Sequence, residues 1–149
     1  MKIPPDSWRS SFGGRLGMTI EAMTPGHAEA VLEIGAEHCN PNGVCHGGAI
    51  FTLADDSMGG AIHPLCPPDH VPAATQVNVH YARSVRAGDT IRVSTDVLSQ
   101  GRRTAVVESR VTDGSGRLVA LLSASYLIVG ARYAAERSDG EPDGESVEA

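Results

Sequence analysis

The sequence has few aromatic residues and no long hydrophobic run. Phe, Trp and Tyr make up 4% of the 149 residues, so the core must consist of Val, Leu, Ile and Ala. All apolar runs are shorter than the roughly 20 residues that a membrane helix needs, and the start MKIPPDSWRS lacks the apolar stretch of a signal peptide. The lack of a membrane-length apolar run and of a signal-peptide stretch argues against a membrane protein, and we expect a cytoplasmic one.

Cysteine and clustered positive charge are scarce as well. Three cysteines without a CxxC pair give no disulfide framework and fit a reducing compartment. The net charge of -6 comes mainly from residues 134–149, AAERSDGEPDGESVEA, whereas the rest of the chain is close to neutral. A nucleic-acid-binding protein would need a clustered basic face, so we expect no nucleic-acid partner.

A chain of this length is sufficient for one domain. We divide it into an N-terminal segment (1–15), with a short helix expected from Asp6 or Ser7, a folded domain (16–132) and an acidic tail (133–149) of disordered composition. Within the domain, the runs GMTIEAM and HAEAVLEIG flank the turn-forming pair Pro25-Gly26 and predict a hairpin.

The segment from Gly47 to Ile62 predicts the only long helix. At about 100° per residue, its apolar residues recur at the spacing of a helix face that packs on a core. Its four glycines each cost about 0.5 to 1 kcal/mol of helix stability relative to Ala, so tertiary packing must hold the helix. The apolar face consists of Ile50, Leu53, Ala54, Ser57, Met58 and Ala61.

From residue 72 to 129 the apolar residues recur with a period of two. ATQVNVHYARS, TIRVSTDVL and RTAVVESRVT alternate apolar and polar residues, and RLVALLSASYLIV is apolar on both faces, as expected for a central strand. The order ββ-α-ββββ predicts an α+β fold with a mostly antiparallel sheet and one central helix. Because one helix cannot cover six strands, we expect a second subunit to bury some strand surface.

The start of the predicted helix offers an oxyanion site. Helix N-termini present unpaired N–H groups and a partial positive charge, and Gly47 and Gly48 would let a substrate atom approach them. A tight loop-to-helix turn at His46-Gly47-Gly48 explains the same glycines without any chemistry. The sequence alone leaves both interpretations open.

Asp55 and Asp56 interrupt the apolar segment. Relative to Ile50 they lie about 140° and 240° round the helix, on opposite flanks of the apolar face. Each aspartate fits two roles: an ordinary solvated residue, or a carboxylate that acts as general base or nucleophile toward an acyl carbon. Periodicity does not choose between them.

Three other chemistries fit less well. Cys45 and His46 are adjacent, and adjacent side chains generally do not face each other, which disfavours a cysteine nucleophile. His38, Cys39, Cys45 and His46 have a spacing outside the usual zinc patterns, so no metal is expected. The chain also has no G-x-S-x-G hydrolase motif.

The stretch CHGGAIFTLAD, with an asparagine six residues before its histidine, resembles the signature of the hotdog-fold acyl-CoA thioesterases. VNVHYARSVRAGDTI and GRRTAVVESRVTDGSGRLVA resemble the strands that follow in that family, and the similarity extends from about residue 12 to 130. The bacterial phenylacetic acid degradation thioesterases are the most similar group. The resemblance implies that residues 16–132 form a hotdog domain, with a sheet wrapped around one helix and two subunits paired into a continuous sheet.

The resemblance also implies roles for residues. Asp55 matches the catalytic acid, Gly47 donates the N–H that polarises the thioester carbonyl, Asn40 orients substrate or water, and His46 shapes the loop. Asp56 is then expected to be a structural or solvent-facing neighbour. Gly48 lies beside this donor. The family's serine or threonine on the strand after the helix falls at Ala74 or Thr75, so Thr75 is a candidate for steering water.

The implied activity is hydrolysis of an aromatic, phenylacetyl-type, or short-to-medium acyl-CoA to the free acid and CoA, in a homodimer or homotetramer. Coenzyme A enters as part of the substrate, and no cofactor is needed. A module that binds acyl-CoA or acyl carrier protein without hydrolysing it is the alternative, and a lyase or dehydratase of the same fold is a third. The CoA phosphates need positive charge, for which the candidates are Arg83, Arg86, Arg102 and Arg103.

Overall fold

The structure is a computed structural model in which residues 11–132 are described. A four-residue helix, α1 (Phe12–Arg15), lies near the end of the N-terminal segment, and the Oγ of Ser11 accepts a hydrogen bond from the Gly14 N–H at 3.2 Å. The expected helix start at Asp6 or Ser7 and the acidic tail lie outside the described residues.

Six strands form one antiparallel sheet in the described part of the chain. The sheet order is β1-β2-β4-β5-β6-β3, so β1 and β3 are the two edges. The predicted hairpin is confirmed, with Pro25 and Gly26 between its strands. The strands are β1 (Thr19–Thr24), β2 (His27–Glu33), β3 (His70–Tyr81), β4 (Thr90–Gln100), β5 (Thr104–Asp113) and β6 (Leu118–Gly130).

One long helix, α2 (Gly47–Ile62), packs against β2, β4 and β5, with the bounds that the sequence predicted. Short 3-10 helices cover Ala36–His38 before it and His63–Leu65 after it. The predicted apolar face is buried throughout, and its members meet aliphatic residues of the sheet. The α+β architecture of a sheet wrapped around one helix is therefore confirmed.

A buried chain of hydroxyl groups fixes α2 on the sheet. The Oγ of Ser57 lies 2.8 Å from the Oγ1 of Thr95 on β4, which lies 2.5 Å from the Oγ of Ser109 on β5. All three side chains are fully buried. Because unpaired buried polar groups are costly, these bonds restrict how α2 can slide along the sheet.

The strand β6 differs from its prediction as a central strand covered on both faces. It lies second from the edge, and from Leu122 onward buried and exposed residues alternate along it. Leu127 is 42% exposed, because the helix covers only the inner face of the sheet.

The edge strand β3 leaves most of its surface uncovered. Its burial pattern contains no fully buried residue, and its outer edge has no neighbouring strand within the described chain.

Residues 11–132 contain no helix that is both long and apolar enough to cross a membrane.

Candidate active site

The loop before α2 is held by local hydrogen bonds. The side-chain oxygen of Asn40 accepts from the N–H groups of Asn42, at 2.9 Å, and Val44, at 3.3 Å. Gly43 has a φ of 73°, a conformation that favours glycine, and its N–H bonds back to the Asn40 carbonyl. The oxygen of Asn40 thus shapes the turn, and its amide NH2 is the part available to orient another group.

His46 caps the helix. Its Nδ1 accepts a hydrogen bond of 2.8 Å from the Gly48 N–H, and its own N–H donates to the His38 carbonyl. A Cβ at position 48 would lie 2.8 Å from that Nδ1, so glycine permits the cap. The ring of His46 is committed to helix capping, the local role that the resemblance implied.

Gly47 is the first residue of α2 and packs on a tyrosine. The hydroxyl of Tyr81, the last residue of β3, donates to the Gly47 carbonyl at 2.9 Å. A Cβ at position 47 would lie 2.9 Å from the Tyr81 ring, which is closer than side chains normally approach. Tyr81 therefore gives a packing reason for this glycine, and the Gly47 N–H has no hydrogen-bond acceptor within the described part of the chain.

Asp55 pairs with a residue that the sequence analysis did not identify. The hydroxyl of Tyr126 on β6 donates to the Oδ1 of Asp55 at 2.9 Å. Tyr126 is only 4% exposed, and burial, followed by the negative charge of Asp55, raises the pKa of its hydroxyl above the usual range. The sequence signal that could have indicated this contact is a tyrosine at an inward position of the last strand, because a buried tyrosine hydroxyl needs a hydrogen-bond partner.

A cavity of about 400 Å3 lies beside this pair. The second half of α2 forms one wall, and the first half of β3 forms the other, with Tyr126 between them. Gly59 leaves open space at its Cβ position, so this glycine enlarges the cavity. The lining residues are Asp55, Asp56, Gly59, Gly60, His63, Val71, Pro72, Ala74 and Tyr126.

Asp56 lines the same cavity, so the two aspartates do not separate into one cavity residue and one solvated residue. Its Oδ2 is buried against Gly13 of α1 and has no hydrogen-bond partner among the described residues. Burial, and then the charge of Asp55, raise the pKa of Asp56 to about 6. The position is a partly buried carboxyl group rather than a solvent-facing neighbour.

Thr75 does not face the cavity. It sits at an irregularity in the pairing of β3 with β6, and its Oγ1 donates to the Ser125 carbonyl at 3.0 Å. Ala74 lines the cavity instead, in register with Tyr126 on β6. The hydroxyl of Thr75 is therefore engaged with the backbone.

The four candidate arginines fall into two exposed groups. Arg83 and Arg86 follow β3, and Arg86 forms an isolated bridge with Val44 of the loop before α2. Arg102 and Arg103 lie between β4 and β5 and line a second cavity of about 550 Å3. That cavity includes the first residue of β3. Since 12 extended residues span about 35 Å, one chain holds the two groups at opposite ends of β3.

The loop cysteines are poorly suited to nucleophilic or metal chemistry. Cys39 and Cys45 form a backbone bridge, and Cys45 is buried. Burial raises the pKa of Cys45 to about 11, so its thiol is protonated at neutral pH. No group of three or more metal-binding side chains occurs in residues 11–132.

Known proteins resemble this chain in sequence and in fold. The profile of the thioesterase superfamily matches residues 42–120. The chain is 31% identical over 107 residues to the acyl-coenzyme A thioesterase PaaI of Escherichia coli (strain K12), over 71% of this chain and 74% of that protein.

Two solved structures share the fold. The E. coli PaaI protein from the phenylacetic acid degradation operon superposes with a TM-score of 0.77 at 25% identity, over 84% of this chain and 89% of that chain. A hypothetical thioesterase of Streptococcus pneumoniae TIGR4, solved with coenzyme A, superposes with a TM-score of 0.71 at 26% identity, over 76% and 86% of the two chains.

The profile match spans the helix start, Asp55 and the strands that follow, and the superpositions confirm the hotdog fold. This chain therefore belongs to the thioesterase superfamily, and it is a thioester hydrolase.

Proposed function

We propose that this protein hydrolyses acyl-CoA thioesters with Asp55 as its catalytic carboxylate. The observation behind the proposal is a carboxylate held by a buried tyrosine at the wall of an open cavity, on the same helix as an unpaired N–H at Gly47. The similarity to a thioesterase named for acyl-coenzyme A supports this substrate class.

In the proposed reaction, the thioester carbonyl oxygen accepts a hydrogen bond from the Gly47 N–H at the positive end of α2. Asp55 either attacks the carbonyl carbon, giving a mixed anhydride that water hydrolyses, or removes a proton from a water that attacks it. In both routes the C–S bond breaks, CoA leaves as the thiol and one water molecule is consumed. Asn40, through its amide group, is the candidate for orienting the substrate or water.

The proposed site requires two subunits. Asp55 lies eight residues after Gly47, which is about 12 Å along one helix, so the two groups of one chain cannot meet at the same carbonyl. Gly47 contacts Tyr81 at one end of β3, whereas Asp55 lies near Ala74. Antiparallel pairing of two β3 edges, centred between Val77 and Asn78, would set Ala74 opposite the partner subunit's Tyr81.

The same pairing would unite the arginines. It brings Arg102 and Arg103 of one chain toward the partner's Arg83 and Arg86, because antiparallel edges exchange ends. A concentration of guanidinium groups suits the phosphates of CoA. The similar S. pneumoniae structure was solved with coenzyme A, which supports binding of this moiety.

The cavity beside Asp55 is our proposed acyl site. Its volume of about 400 Å3 and its Val71, Pro72 and Gly59 walls suit an aromatic acyl group such as phenylacetyl, or a short-to-medium aliphatic chain. The E. coli relative from the phenylacetic acid degradation operon favours an aromatic group in the first test panel.

A tetramer of two such dimers is our proposed assembly. Three large aliphatic side chains on the sheet remain exposed, namely Leu98, Val106 and Leu127. Val106 pairs with Ser125, and Leu127 pairs with Thr104, so Val106 and Leu127 lie near each other on adjacent strands. Contact between dimers would bury them.

The alternative function is a module that binds acyl-CoA or acyl carrier protein without hydrolysis. A carboxylate facing an oxyanion site would repel a polarised oxygen and would bring no benefit to a binder. The presence of both Asn40 and Asp55 at the spacing of the thioesterase signature therefore favours the hydrolase.

Release of free thiol from a panel of aromatic and aliphatic acyl-CoAs tests the function. We expect the wild type to cleave several members and Asp55→Asn to lose at least about a hundredfold in kcat, since positioned acid-base groups contribute on that scale. Asp96→Asn, at an exposed site on β4, is the matched control and should remain fully active.

Asp56→Asn tests which aspartate is essential, and it should retain most activity. If it were the inactive variant, the catalytic carboxylate would be Asp56. If the wild type bound acyl-CoA and cleaved none, the binding-module alternative would replace the hydrolase.

A further inference from the structure

The strongest unassigned contact near the cavity is the hydrogen bond between Tyr126 and Asp55. The two residues come from β6 and α2, which lie 71 positions apart in sequence, and their side chains meet at 2.9 Å. Tyr126 is almost fully buried, so its hydroxyl exchanges little with water. The contact therefore ties a cavity carboxylate to the rigid sheet.

The hydrogen bond selects one of two adjacent carboxylates. Tyr126 engages the Oδ1 of Asp55, while the Oδ2 of Asp56 stays buried and without a partner among the described residues. The buried hydroxyl of Tyr126 needs a hydrogen-bond acceptor, but a backbone carbonyl would be sufficient for that purpose. Here the hydroxyl is bonded to the carboxylate that the proposed reaction uses.

The strand register explains why Tyr126 can take this place. Ala74 on β3, opposite Tyr126, has no hydroxyl, and the Thr75 hydroxyl is bonded to the Ser125 carbonyl. Tyr126 is thus the only hydroxyl-bearing side chain among the described residues that line the cavity. It reaches the helix from the neighbouring strand, across the space that a small Ala74 leaves open.

We propose that Tyr126 is a positioning residue that holds the carboxylate of Asp55 in its reactive orientation. This inference rests on the proposed function, because it assigns Tyr126 a role toward the same carboxylate. A donor that fixes one oxygen restricts rotation of the group and leaves the other oxygen for the acyl carbon or for water. Folding already orders the tyrosine side chain in the core, so no further ordering of that side chain is needed to position the carboxylate.

The test is Tyr126→Phe, which keeps the ring and removes only the hydroxyl. We expect kcat to fall about tenfold with KM changed less than about twofold, because a misoriented carboxylate weakens the chemical step rather than binding. Added to Asp55→Asn, the Tyr126→Phe change should cause little further loss, since its effect acts through Asp55.

Ser109→Ala is the structural control, because it also removes a buried hydroxyl hydrogen bond but lies away from the cavity. It should lower the midpoint of denaturation and leave kcat and KM unchanged. An active wild type whose Tyr126→Phe variant kept the wild-type kcat would overturn the positioning role and leave the proposed function standing. A wild type that cleaved no acyl-CoA would overturn both.

Discussion

The start of α2 and the cavity beside its second half are built in different ways. At the start, the Asn40 oxygen bonds within four residues, and the His46 ring bonds to Gly48. At the cavity, Tyr126 reaches Asp55 from the other end of the chain. One half of the proposed site is therefore a local structure, whereas the other half forms only when the strands of the sheet pair in the correct register.

Gly47→Pro tests the local half and has the largest expected effect. Proline removes the N–H that we assign to the oxyanion but suits the first position of a helix, and the extended backbone of His46 tolerates a following proline. We expect kcat for acyl-CoA hydrolysis to fall at least about a hundredfold, in the range found for loss of an oxyanion donor.

Gly47→Ala is the steric control for this experiment. It adds a Cβ that meets the Tyr81 ring and retains the N–H, so it reports packing alone. Because Tyr81 is half exposed, its ring can shift, and we expect a loss of less than about tenfold. Equal losses in the two variants would mean that the Gly47 N–H is not the donor.

Mixing two inactive variants tests whether the two halves come from different chains. Co-expressed Gly47→Pro and Asp55→Asn subunits should form hybrid dimers with one doubly altered site and one intact site. Random assembly then restores about a quarter of the wild-type thiol release. A mixture as inactive as its parents would show that each site belongs to one chain.

Asp56→Asn probes the cavity half and has the smallest expected effect. Because the pKa of Asp56 is raised from 3.8 to about 6, the folded protein holds this proton more tightly than the unfolded chain does. The free energy of unfolding therefore falls as the pH rises from about 4 to 6, and the full penalty is present above that window. Asparagine removes the penalty, which we set at about 1–2 kcal/mol after discounting for partial exposure.

Urea unfolding at pH 7.5 and pH 4 checks this expectation. Asp56→Asn should be more stable than the wild type at pH 7.5, with the gain lost at pH 4. Glu33→Gln, at an exposed site on β2 with no ion pair among residues 11–132, should change stability by less than about 0.5 kcal/mol at either pH. A gain of equal size at both pH values would show that the charge of Asp56 is not the cause.

Much of the fold was predictable because its signals are local. The bounds of α2 and its buried face follow from the spacing of apolar residues, and Pro25-Gly26 specifies its hairpin. The sheet order was not predictable, since period-two alternation marks a strand without naming its neighbours. For the same reason, the apolar residues on both faces of β6 predict a central strand, whereas β6 lies second from the edge with one face exposed.

The candidate site shows the same division between features that depend on nearby residues and features that depend on strand order. The cap at His46 depends on neighbours in the chain, and the sequence analysis included a tight loop-to-helix turn at this position as one of two interpretations. The packing of Tyr81 on Gly47 and the engagement of Thr75 with the Ser125 carbonyl depend on which strands lie side by side. The choice of Asp55 over Asp56 needed the family resemblance, because both lie beside the apolar face of one helix.

The residue spacing alone places Gly47 and Asp55 on one helix, about 12 Å apart, because helix geometry converts residue spacing directly into distance. The packing of β6 on α2 is what gives Asp55, and not Asp56, a hydrogen bond from Tyr126. That choice depends on Tyr126 being in register with Ala74 and facing α2. Strand register is a property of the whole sheet, so no stretch of sequence around either residue contains it.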